Sequence, residues 1–378
     1  MKKILNRVVS LTKRLIYFKL GWSWCNKVFK IRGYKAVVKR THCKKFKELW
    51  SPLSRIVLCK YLKVFATEKL EEDFIPYIAP EDLVHHYIEP ALNPYPYRGF
   101  IEDKNNFGKL IPSDYLPNEF LHWIQGTPYD EKYERIPQEY LRKKIEEIAE
   151  KTPRIILKPT VNSCSGNGIK FYNWDGSTFV DADGNPFDET TAPKIGSDFV
   201  VQEVFVQSSF MSQFCKTSVN TLRIVTYRSV KDDVVHVPAM IMRMGKDGAM
   251  IDNAHAGGCF IGVSPVNGSL GKYVSDQWGR TSDVFNGIDF SKSDYKIPDF
   301  DCVMNFAKEI AKRIPYHRLL ALDVVLDKNG CPKLIEFNVS AFGSWPFPFV
   351  GQIPFGKWTE EIVDYCSEKK RLQRFWMV

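Results

Sequence analysis

The chain has 378 residues, 44% of them apolar and 14% aromatic, with a formal net charge of +9. That length and composition exclude an intrinsically disordered chain and leave room for two or three domains with cores of their own. The nine cysteines are scattered, without a C-x-x-C pair or zinc-site spacing, which excludes a disulfide scaffold and points to reduced thiols in a cytosolic setting.

Residues 1–63 carry 18 Lys and Arg against one acid, Glu48, a net of +17, so the remaining 315 residues sum to −8. Within this basic arm, taken as residues 1–70, Ile4, Val8, Leu11, Leu15 and Phe18 recur at helical spacing, with lysines and arginines between them. Leu5, Val9 and Ile16 flank the stripe, and Trp22 and Trp24 follow it. A basic amphipathic helix with interfacial tryptophans is expected to lie in the headgroup plane of an anionic membrane, at its cytoplasmic face. Interleaved aromatics would also suit nucleic acid, but no nucleic-acid fold signature accompanies them. No run reaches the roughly 18 apolar residues that a span needs. Charges break up the first apolar residues, which argues against a secretory signal.

Residues 71–150 mix loops around Pro90, Pro94 and Pro96 with a predicted helix over Gln138–Lys151, which opens after Pro137 and pairs Glu with Lys along one face. From Arg154 the texture changes to short strands between Gly, Asn and Asp turns. This is an α+β body, read as segments 151–206 and 207–350 with a tail helix in 351–378.

Arg154–Pro159 reads as a buried strand ending in Lys158, followed by the loop Ser163-Cys164-Ser165-Gly166-Asn167-Gly168 and a second strand, Ile169–Tyr172. A lysine closing an apolar strand beside small residues presents its charge and the loop's N–H groups to phosphates, although any hairpin loop favours Gly and Ser. The pattern is neither G-x-G-x-x-G nor a Walker loop, so a Rossmann or P-loop fold is not supported. Phe199–Val206 is an apolar strand interrupted by Gln202 and Glu203, polar groups that suit an adenine edge. Asn220–Thr226 and Ile241–Met244 each set one arginine, Arg223 and Arg243, in an apolar strand, where a guanidinium suits phosphate or carboxylate. Phe300–Arg313 is predicted as a helix from Val303, Phe306, Ile310 and Ile314.

The last motif is a hairpin. Leu319–Leu326 is apolar apart from Asp323, Asp327-Lys328-Asn329-Gly330 supplies turn chemistry, and Leu334-Ile335-Glu336-Phe337-Asn338 returns. With Asn329 and Gly330 as a two-residue loop, Lys328 pairs with Cys331, and Asp323 falls opposite Glu336 with Asn338 on the same face. Opposed carboxylates roughly 5 Å apart repel. A hard divalent cation removes that cost, so the pair predicts a magnesium site; deleting one acid would then stabilise the metal-free protein.

Together and in this order, these motifs resemble the ATP-grasp superfamily, and within it the sugar-transfer-associated branch found with polysaccharide-biosynthesis genes, over residues 98–350. Asp323, then Glu336 and Asn338 as E-x-N, match the family's metal signature. Lys158 with Ser165, Gly166 and Gly168 resembles its phosphate-binding lysine and loop, and Lys104 its first ATP-contacting lysine. Gln202-Glu203-Val204-Phe205 is similar to the strand that holds adenine and ribose. The Asn220–Thr226 string and the Asn253–Gly258 loop are similar to the branch's own signatures.

The resemblance implies an ATP-grasp fold of two α+β subdomains clamping ATP, with ATP and Mg²⁺ as cofactors and Arg223 and Arg243 as catalytic groups. His255 would touch substrate or simply pack its loop. An acceptor carboxylate would attack the γ-phosphate and an amine would capture the acylphosphate, on a small-molecule or lipid-linked sugar acceptor. The alternatives are a kinase for a sugar or alcohol and a nucleotide-binding scaffold without catalysis. Residues 1–90 match nothing in the family.

Overall fold

The computed structural model describes residues 2–161, 167–249, 252, 254–292, 294–340 and 342–376, with backbone alone at 2–7, 10 and 370–376. The chain divides into two compact units, one of residues 1–98, 210–323 and 338–378, the other of 99–209 and 324–337.

The smaller unit is built on seven strands: β1 (Glu119–Ile124), β2 (Thr127–Asp130), β3 (Arg154–Pro159), β4 (Lys170–Trp174), β5 (Phe179–Val180), β6 (Pro186–Phe187) and β7 (Phe199–Glu203), in the order β2-β1-β7-β3-β4-β5-β6. The helix Gln138–Lys151 has the predicted bounds and buries Leu141, Ile145 and Ile148. These are four and three residues apart and so share one face. They join Leu121, Trp123, Ile155, Leu157, Phe199 and Val201 in one core. Strand β3 also matches its expected span. Strand β7 stops at Glu203, short of the expected Val206, which is exposed and outside the ladder.

The larger unit carries β8 (Thr221–Arg228), β9 (Val235–His236), β10 (Met240–Met244), β11 (Cys259–Val263), β12 (Leu270–Ser275), β13 (Thr281–Ser282), the hairpin β14–β15 (Val284–Phe285, Ile288–Asp289) and β16 (Leu319–Leu326). The sheet order is β13-β12-β11-β10-β8-β16-β17 (β17, Pro332–Asn338), with β9 paired to β8, and residues 324–337 of its last two strands count with the smaller unit. The helix Phe300–Arg313 again has the predicted bounds, burying Val303, Phe306 and Ile310. A C-terminal helix covers Thr359–Trp376.

Two expectations meet the structure here. Residues 1–70, read as a basic arm, pack within the larger unit: α1 (Lys2–Arg32), α2 (Arg40–Trp50) and α3 (Lys60–Phe65) contribute to its core. Cys25, Val28, Phe46, Trp50, Tyr61 and Phe65 are buried there with Val225, Leu319 and Phe349. Phe65 and Phe349 rings meet at 4.8 Å, and the buried Arg32 guanidinium donates to the Val64 carbonyl at 2.8 Å. Gly21 lets α1 approach α3, because a Cβ there would run into the Tyr61 hydroxyl. Ile4 and Leu5, part of the predicted stripe, have no described side chains.

The β16–β17 turn also departs from the expected register. Asp327, not Lys328, faces Cys331: the Asp327 N–H donates to the Cys331 carbonyl at 2.8 Å, and Gly330 N–H donates to Asp327 O at 2.7 Å. The Asp327 carboxylate accepts from the N–H groups of Asn329 and Cys331, which favours a three-residue loop with a bulge at Gly330 over the two-residue turn. The pairing premise that set Asp323 against Glu336 therefore fails at the turn.

Candidate active site

In the smaller unit, three adjacent strands and a turn converge their polar groups. Lys104 lies in a short 3-10 turn, Lys104–Asn106, that Asp103 caps by accepting from the Asn105 N–H. The buried Asn105 amide fixes this turn by donating to the Trp123 carbonyl and to Thr160. The Lys104 ammonium meets the Glu336 carboxylate at 2.7 Å, joining two predicted site residues that stand 232 positions apart.

Lys158 on β3 is different. Burial pushes its ammonium down to about 8, helped by the charge of Lys104 and opposed by Glu336 and Glu119. No carboxylate among the described residues lies within 4.0 Å of it. Beside it, burial lifts the Glu119 carboxyl to about 7 despite a hydrogen bond from the Gln202 amide at 2.9 Å and the charge of Lys158. The other end of that amide, Gln202 Oε1, is buried with no hydrogen-bond partner. Glu203 is tied to Asn118, and Phe205 is half-buried beyond the strand. Gly168 has a left-handed φ of +76°, and a Cβ there would come within 2.8 Å of Pro159, so the loop closes tightly after β3. Ser165 and Gly166 lie outside the described residues.

In the larger unit, strand β8 lies between β10, with which it pairs antiparallel, and β16, and this sets two arginines beside one acid. Arg223 donates from Nε and a terminal nitrogen to both oxygens of Asp323 at 2.8 Å, a bidentate pair, and Arg243 donates to Oδ2 at 3.0 Å. Arg243 also reaches Asp252 at 2.9 Å, and the Thr221 hydroxyl donates to the other Asp252 oxygen. Burial alone would raise the Asp323 carboxyl, but the two guanidiniums outweigh it and hold it below the usual range. The Asn338 amide donates to the Ala321 carbonyl at 3.1 Å and its side chain also bonds to Asp323. His255 contacts Gln277, and Asn253 of its loop lies outside the described residues.

The two predicted metal carboxylates thus each meet cations, Asp323 with Arg223 and Arg243 and Glu336 with Lys104, while Asn338 bonds to Asp323. Among the described residues no three His, Cys, Asp or Glu side chains gather as a metal cluster. The oxygen donors still fit a hard divalent ion in kind, since Arg243 retains Asp252 if it releases Asp323. The fit to a nucleotide is more direct. Gln202 Oε1 is a buried acceptor lacking a donor, and Lys158 is a half-buried cation without a close anion. Sequence reading missed Glu119 and Asp252. Glu119 is the lone acid opening the apolar strand EFLHWI, a signal of the kind that singled out Asp323.

Among curated proteins none matches the chain. Solved structures to which it is similar include the biotin carboxylase domain of Hydrogenobacter thermophilus 2-oxoglutarate carboxylase, with MgADP, ADP and bicarbonate, at 11% identity and a TM-score of 0.41, covering 72% of this chain and 48% of that one. The ATP-grasp ligase PsnB with a phosphomimetic precursor variant, Mg and ADP follows at 10% identity and a TM-score of 0.41, covering 76% and 66%. D-alanine–D-alanine ligase from Bacillus anthracis stands at 13% and 0.37, covering 73% and 69%. The chain thus spans between about half and two thirds of the length of the first two. The model of one family, described as sugar-transfer associated ATP-grasp, matches residues 84–354, a stretch that takes in Lys104, Lys158, Arg223, Arg243 and the whole Asp323–Asn338 hairpin. With most of its length and each of those side chains inside that match, the chain belongs to the sugar-transfer associated ATP-grasp family.

Proposed function

We propose that the chain is an ATP- and Mg²⁺-dependent ligase that joins a carboxylate to an amine through an acylphosphate, on a precursor of a cell-surface polysaccharide. The observation that carries this reading is the state of Lys158, a half-buried ammonium whose charge is disfavoured by desolvation and by Lys104, without a close carboxylate. Such a group binds phosphate strongly, because the anion supplies the charge that the fold withholds. Gln202 Oε1 on the neighbouring strand accepts from the adenine amino group, which satisfies its unpaired oxygen. Lys104 exchanges Glu336 for phosphate oxygens. Asp323, Glu336 and Asn338, all from one hairpin, are the oxygen donors that would hold Mg²⁺, and the ion would supply positive charge against the nucleotide's phosphates.

Arg223 and Arg243 orient the acceptor carboxylate and the transferred phosphoryl group. A carboxylate oxygen attacks the γ-phosphorus, the bond to the β-phosphate oxygen breaks, and ADP leaves with the electron pair. The amine then attacks the acyl carbon, phosphate departs, and the amine proton passes to solvent. Incubation with ATP, Mg²⁺ and pools of amino acids, nucleotide sugars and lipid-linked sugars tests this by mass spectrometry. The reading requires ADP, free phosphate and a new amide mass, with hydroxylamine diverting the intermediate to a hydroxamate. ADP with a phosphorylated acceptor and no free phosphate would establish a kinase instead.

A further inference from the structure

The N-terminal half of α1 has apolar residues on both sides, and only one side is covered. At about 100° per residue, Arg14, Tyr17, Gly21, Cys25 and Val28 share a face. That face turns inward: Arg14 meets Asp82 at 2.6 Å, and Gly21, Cys25 and Val28 are buried. The opposite arc holds Val8, Leu11, Leu15, Ile16, Leu20 and Trp22, all exposed, with Leu11 at 58% and Leu15 at 67%. Val8, Leu11, Leu15 and Trp22 fall within about 60° of one another, and Ile16 and Leu20 lie beyond the exposed Lys19. This outward surface thus interleaves large apolar side chains with lysine, an apolar exposure that soluble surfaces rarely leave bare.

Charge selects what covers it. Lys13, Lys19, Lys27 and Lys30 are exposed along the same helix, no acid occurs before Glu48, and Lys60 sits 3.7 Å over the Trp22 ring. A second copy of this chain would bring one +17 segment against another. An anionic lipid surface complements both the charge and the apolar arc, with Trp22 at headgroup depth. No helix among the described residues is long and apolar enough to cross a membrane, which is consistent with a helix that lies in the surface plane.

We infer that the outward face of residues 8–22 docks this protein onto an anionic lipid surface, while the inward face holds the helix on the larger unit. This does not depend on the nucleotide chemistry. Flotation of the full chain with phosphatidylcholine vesicles, with and without phosphatidylglycerol, tests it. The wild type floats only with phosphatidylglycerol and releases at high salt. L11E/L15E and K13E/K19E each lose roughly tenfold or more of the bound fraction while keeping the wild-type melting curve. The inference is overturned if the wild type stays at the bottom with phosphatidylglycerol, or if both variants float as it does. It is equally overturned if light scattering shows a dimer that L11E/L15E dissolves without lipid, or if double-stranded DNA competes the protein off the vesicles.

Discussion

Asp323 accepts three N–H bonds from two guanidiniums, so its loss leaves buried positive charge rather than relieving negative charge. Breaking such a pair from one side costs about 3–5 kcal/mol. Because Arg243 keeps Asp252, D323N is expected at the lower end, about 3 kcal/mol, read by urea unfolding without nucleotide or metal. Wild-type or higher stability in D323N would instead restore the opposed-carboxylate expectation. Glu119 gives a pH signature. Its folded carboxyl is raised by burial to about 7 from 4.5, so its contribution to stability is present below 4.5 and is lost as pH rises through 7. E119Q removes the titration. Relative to the wild type it should therefore gain stability between about pH 5 and pH 8, and a pH-independent difference would remove the buried-acid assignment.

At the scale of elements, docking of α1 depends on one close approach. G21A places a methyl group against the buried Tyr61 ring, and overpacking of this kind costs about 1–3 kcal/mol. An unchanged melting temperature would mean that α1 does not pack on α3 in solution. This packing was not legible in the sequence, because α1 carries apolar residues on every side and the partners of its inner face include residues as distant as Asp82. Helices 138–151 and 300–313 and strands β3 and β16 were legible, since a period and a terminating turn coincide in each. The candidate site was readable residue by residue but not pair by pair. Arg223 and Arg243 stood out in apolar strands, yet their salt bridges to Asp323 follow from the strand order β10-β8-β16, which local pattern does not encode. The hairpin turn misled because Asn329-Gly330 signals a two-residue loop, whereas the Asp327 side chain stabilises a longer one.

Over the whole molecule, sequence segregates charge into a strongly basic N-terminal segment and a mildly acidic remainder. Helices α1–α3 bring that basic segment into the core of the larger unit, with lysines on its surface, while the half-buried cation Lys158, with no carboxylate in contact, belongs to the smaller unit. The central claim is that this cation holds nucleotide phosphate. Isothermal titration of ATP and of adenosine into the wild type and K158A, at pH 7 and again at pH 9, addresses it most directly. A charged hydrogen bond contributes about 1.5–3 kcal/mol, so K158A should bind ATP roughly ten- to a hundredfold more weakly and adenosine almost as well as the wild type. Wild-type ATP affinity should also fall above pH 8, where Lys158 is neutral in the free protein. Equal losses for ATP and adenosine in K158A, or an ATP affinity indifferent to both the substitution and the pH, would contradict the account.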